Sequence, residues 1–180
     1  MRPTPRILIG FATFALVLCT SGVAWAANPA TISVTVTIQS LSVSTTGPIA
    51  FGTVVAGSQS VSGSASTVTD DGNVTETYSL SLTNPATWTA VQAAPSAAEE
   101  YALLAMFNSS APAAGSFTYA DHALSTASVA SSGTKFAGNQ TGLSVAATGA
   151  RDLWFRFNAP TSTSVTTQQS ITVTVTAAAG

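Results

Sequence analysis

The chain has 180 residues, room for one domain with a core large enough to fold unaided. Only 7% of them are charged against 46% hydrophobic, which excludes a disordered chain, where charge is high and apolar content low. Five Lys and Arg against seven Asp and Glu give a net charge of −2, and cations this sparse exclude a nucleic-acid surface.

Arg2 and Arg6 precede an apolar stretch from Ile7 to Cys19, and Ala24-Trp25-Ala26 puts small residues at the two positions a signal peptidase reads. This predicts an export leader over residues 1–26, cut between Ala26 and Ala27, followed by one domain over 27–180. The apolar stretch falls short of the roughly 20 residues a membrane-spanning helix needs, so no membrane contact is expected once the leader is gone. Acylation of Cys19 is disfavoured because Leu18 stands where a small residue is wanted. Cys19 is the one cysteine, so the chain after the cut has no disulfide and no thiolate metal site, and no cofactor is expected.

Period-two alternation then dominates. Ile32, Val34, Val36 and Ile38 fall on one face with Ser33, Thr35, Thr37 and Gln39 on the other, which predicts a strand with one buried and one wet face. Tyr78, Leu80 and Leu82 repeat the pattern, and so do Ile171, Val173 and Val175. In DLWFRFNAP the alternation points Leu153, Phe155 and Phe157 inward and Trp154, Arg156 and Asn158 outward. Turn signals (TGP at 46–48, DDGN at 70–73, TNP at 83–85, NAP at 158–160) separate these runs. About eight short strands result, and the predicted fold is all-β, a single antiparallel β-sandwich of Ig-like or jelly-roll-like kind.

PSAAEEYALLAMFNSS is ambiguous. Ser96 and Glu99 match a capping box, which suggests a helix over 97–106, whereas Tyr101, Leu103, Ala105 and Phe107 alternate with an equally apolar opposite face. A central strand covered on both sides is the favoured reading. From Ser109 to Gly149 the Ser-, Ala- and Gly-rich sequence predicts long connections anchored at Phe117, Tyr119, Phe136, Leu143 and Val145.

The residues that could carry chemistry are few. His122 follows Asp121, but neighbours on a strand point apart and no G-x-S-x-G elbow exists, so a solvent-exposed loop histidine is expected. SGTK at 132–135 matches S-x-x-K, yet its glycine sits in a loop where a helix start is required. Asp70 and Asp71 are of the type that binds calcium, but DDGN does not continue into a calcium-loop spacing and reads as a turn with Gly72 or Asn73 at positive φ. Glu99 and Glu100 are adjacent and face apart, which makes them poor glycosidase partners. No catalytic or metal-binding residue is assigned, and an enzyme is not expected.

IAFGTVVAGSQSVSGSASTVTDDGNVTETYSLSLTN resembles bacterial Ig-like domains of the hydin and abnormal-spindle type. Phe51, Gly52, Val54 and Gly57 match their FG-x-V-x-x-G element, while Asp71-Gly72-Asn73 stands where Asn-x-Gly-Asn is usual. The resemblance spans about a fifth of the chain and implies an Ig-like sandwich without catalytic residues. Leader, size and strand order are also similar to fibre-forming sandwiches of the camelysin type found in biofilm matrices. In those an N-terminal strand of one subunit completes the sheet of the next.

These readings converge on an exported structural protein of the cell surface or extracellular matrix, with the periplasm as the other compartment. Its partners would be copies of itself or other surface proteins. Neither Ile32–Ile38 nor Ile171–Val175 carries a charge that would blunt its edge, so both are candidate assembly strands. The alternative is a glycan- or cell-wall-binding module using Trp88 or Trp154 as an aromatic platform.

Overall fold

Alternation marks the candidate strands, and the computed structural model of this chain, which describes residues 30–180, shows where it suffices. The predicted leader, its cut site at Ala24, Ala26 and Ala27, and Cys19 lie outside the described residues. The chain divides into two units, Met1–Val36 and Thr37–Gly180. In the described part of the first, residues 30–36, no strand forms, and Ile32, Val34 and Val36 are 81–88% exposed. The strand predicted over Ile32–Ile38 is therefore absent. Its aliphatic face finds no partner among the described residues, and alternation alone cannot supply one.

The second unit is all-β and sandwich-like. Its strands are β1 Val43–Thr45, β2 Gln59–Val61, β3 Ser66–Asp70, β4 Glu76–Thr83, β5 Thr89–Ala90, β6 Glu100–Phe107, β7 Val129–Ala130, β8 Ala150–Asn158 and β9 Thr172–Ala179. One sheet runs β1-β3-β8-β6-β5 with β2 also on β8, and the other runs β7-β4-β9. All pairings are antiparallel except β5 with β6, a two-residue parallel contact.

β4 shows why the inner strands hold. Its burial alternates strictly, with Tyr78, Leu80 and Leu82 inside and Ser79, Ser81 and Thr83 toward solvent. Val68, Leu103, Phe107, Leu153 and Phe155 meet them from the opposite sheet, and the Tyr78 and Phe107 rings lie 6.1 Å apart. Burying each such side chain stabilises the fold by about 1.5–3 kcal/mol.

Residues 101–107 form a strand buried on both faces, β6, and no helix occurs there. The capping-box pattern is spent differently. The Glu100 carboxylate accepts from the N–H groups of Ser96 and Ala97, while Glu99 takes a φ of +61°.

The outer face of β6 and β8 is also covered. Leu104, Met106 and Phe117 form a second small core with Trp154 against it, capped by the excursion 108–124, which contains the one-turn helix α1, Tyr119–His122. Arg156 is buried there rather than solvated, as strict alternation would have it. Its guanidinium donates to the carbonyls of Ala114 and Phe117 and sits over the rings of Phe117 and Tyr119. Of the expected anchors in this region, Phe117, Phe136 and Val145 are buried, whereas Leu143 is 42% exposed.

Candidate functional site

The sheets are unequal, and the second leaves part of the inner face of the first without a facing strand. β9 pairs with β4 over eight residues, from Glu76 with Ala179 to Thr83 with Thr172. Its other edge has no partner among the described residues. Ile171, Val173 and Val175 face inward but stay only half-buried.

Beside them opens a groove of about 1120 Å³, floored by Leu103, Leu153, Phe155 and Phe157 and walled by residues 45–54 and 165–171. No Asp, Glu, Lys, Arg or His side chain lines it. Its wall carries the FG-x-V-x-x-G element. Gly52 and Gly57 adopt φ of +64° and +72°, which only glycine takes at no steric cost, and the turns they make lay Phe51 against Phe157 at 5.6 Å. A surface of this kind offers dispersion contacts, backbone hydrogen bonds and the uncharged polar side chains of Thr, Ser and Gln.

Trp88 lies in this groove, stacked on Phe157 at 5.9 Å, with its indole N–H donating to Thr163 Oγ1 at 3.2 Å. Beside it Glu99 Oε1 accepts from the Ser164 N–H at 2.6 Å and Oε2 from the Thr163 hydroxyl at 2.7 Å. The Ser164 N–H, followed by the Thr163 hydroxyl, holds the Glu99 carboxyl below its ordinary range. Trp154 is on the other face of the β8 sheet, where its indole N–H donates to the Asn108 carbonyl at 2.8 Å. The two tryptophans thus do not share one platform.

His122 is buried, not exposed. Its Nδ1 takes the Thr118 N–H at 3.0 Å and its Nε2 lies 3.1 Å from the Ala137 carbonyl, so both ring nitrogens are occupied in holding loops together. In SGTK the Ser132 oxygen accepts from the N–H groups of Thr134 and Lys135, which closes a turn, and the Lys135 ammonium donates to the Ala120 carbonyl.

DDGN is a turn, although neither Gly72 nor Asn73 has positive φ. Asn73 instead pairs with the incoming segment, its side chain taking the Ser40 N–H and donating to the Ile38 carbonyl. Asp70 and Glu76, which flank the turn, are fully buried together with Tyr78. Burial, then the charges of Asp70 and Glu76, push the Tyr78 hydroxyl up to about 12. Alternation carried this signal, because Glu76 shares the inward face of Tyr78 and Leu80, and Asp70 that of Val68.

Among the described residues no helix is long and apolar enough to cross a membrane. No family model, curated protein or solved structure matches the chain.

Proposed function

We propose that this chain is a non-enzymatic, exported structural protein of the cell surface or extracellular matrix, an Ig-like sandwich that assembles with copies of itself by strand donation. The uncharged groove beside the free edge of β9 carries this reading. An extended segment laid along β9 would satisfy its open N–H and C=O groups and place alternate side chains over Phe155 and Phe157.

The chain contains a segment with that pattern. Ile32, Val34, Val36 and Ile38 alternate with Ser and Thr and are 76–88% exposed, an aliphatic row of a kind soluble proteins seldom leave in water. Neither it nor β9 carries a charge, so nothing opposes their pairing.

Negative-stain images and light scattering of the exported chain at rising concentration test the reading. The wild type should form filaments or large oligomers, and the double variant Val34→Asp/Val36→Asp should stay monomeric. A peptide of residues 30–40 should cap growth when added in excess. A wild type that remains monomeric throughout, or a double variant that assembles equally well, would falsify it.

A further inference from the structure

Where β3 hands over to β4, two carboxylates are buried, and among the described residues no cation donates a hydrogen bond to either. Asp70 closes β3, Glu76 opens β4, and both are fully buried. One oxygen of each is used: Asp70 Oδ1 accepts from the Gly72 N–H at 2.8 Å, and Glu76 Oε1 from the Ser42 N–H at 2.7 Å. Asp70 Oδ2 and Glu76 Oε2 have no partner among the described residues. The same is true of the hydroxyl of Tyr78, itself fully buried, two residues along the same inward face of β4 and within the field of both carboxylates.

Among the basic side chains of the described residues, the charge of Arg151 reaches the Tyr78 hydroxyl, but its guanidinium donates to the carbonyls of Thr141 and Ala150. Arg156 donates to those of Ala114 and Phe117, and Lys135 to that of Ala120. An ionised carboxylate in a protein interior costs several kcal/mol unless it is compensated, and a second one nearby raises that cost. A bound cation would compensate such a pair.

The donors converge and are all oxygen. Glu76 Oε1, the Ser40 carbonyl and Asp70 Oδ1 crowd Gly72, lying 2.5, 2.5 and 3.1 Å from where a Cβ would stand. Any side chain at position 72 would displace them. Among the described residues no group of three His, Cys, Asp or Glu side chains is placed to hold a metal ion, so the set here is two carboxylates, a carbonyl and a phenol. Hard oxygen donors of this kind, with no nitrogen or sulfur, suit calcium.

We propose that Asp70 and Glu76, with the Tyr78 hydroxyl and the Ser40 carbonyl, hold a calcium ion that fastens the segment before β1 to the β3–β4 turn. This site is independent of the β9 groove and of strand donation.

Thermal unfolding of the chelator-treated chain, followed by circular dichroism with CaCl2, MgCl2 or NaCl, tests it. Calcium at a hundredfold excess over its Kd should raise Tm by roughly 5–10 °C. Asp70→Asn and Glu76→Gln, which remove the uncompensated charge but keep the shape, should each lose most of that rise. Should either variant fail to fold, terbium luminescence of the wild type decides: sensitised emission displaced by calcium supports the site, and its absence overturns it. No response to calcium, or an equal response in both variants, also overturns it. So does a metal-free chain that is stabilised by acid alone, since a shared proton would then neutralise the pair.

Discussion

Two segments of this chain are nearly the same sequence with different fates. Residues 31–38 read TISVTVTI and residues 170–177 read SITVTVTA. The second supplies most of β9, its aliphatic side chains half-buried and its backbone paired to β4 along the full length of both strands. The first forms no strand, and Val34 and Val36 are 81% exposed. The difference is not in propensity, since both are rich in β-branched residues that fit a pleated surface. It lies in the neighbour. A strand is stable when another strand takes its hydrogen bonds and a core takes one face, and alternation specifies the face without naming the neighbour.

Removing the same kind of side chain at graded burial measures that difference. Leu80→Ala, in the fully buried row of β4, should cost about 2–5 kcal/mol in chemical denaturation. Val175→Ala, pointing the same way from half-buried β9, should cost about 1 kcal/mol, because water already reaches that site. Equal losses at the two positions would mean that the β9 face is as closed as the β4 face, and the comparison would fail.

How far the sequence could be read follows the same line. β4, β8 and β9 were legible because each run repeats with period two and is bounded by turn residues, whereas β6 is apolar on both faces and its alternation left a helix open as well as a strand. The burial of Arg156 and Trp154 was harder to see. It depends on residues 108–124 folding back over the outer face, and only the apolar Leu104 and Met106 hinted at a cover. His122 was misjudged for the same reason, since a single turn of helix in a Ser- and Ala-rich stretch leaves no periodic signal. The unpaired Ile32–Ile38 was not legible at all, because its sequence is that of a strand. Asp70 and Glu76 share the inward register of Val68 and Tyr78, but the DDGN turn interrupts the alternation that would show it.

The loop leading into β9 offers a smaller effect. Glu99 holds Thr163 and Ser164 through its carboxylate, and those bonds lower its folded pKa relative to the unfolded chain. The stability it contributes is therefore complete above the ordinary carboxylate range and is lost as pH falls through the lowered folded value. Glu99→Gln should be less stable than the wild type at neutral pH, with the gap closing in acid. A gap that stays constant down the pH scale would show that the charge of Glu99 contributes nothing. Because Glu99 is only half-buried and solvent screens its charge, the effect should be well below that of Val175→Ala.

The smallest expected effect on folding is the most discriminating. Val34→Ala removes two methyl groups from a side chain already in water, so the monomer should unfold within about 0.5 kcal/mol of the wild type. If Val34 instead seats over Phe155 or Phe157 of a neighbour, the same change removes buried contact from every subunit junction, and assembly should begin only at a several-fold higher concentration. Folding measured in dilute protein and assembly measured in concentrated protein would then respond to one substitution in opposite degree. A loss of monomer stability comparable to that of Val175→Ala would place residues 31–38 in the core of their own chain and leave no strand to donate.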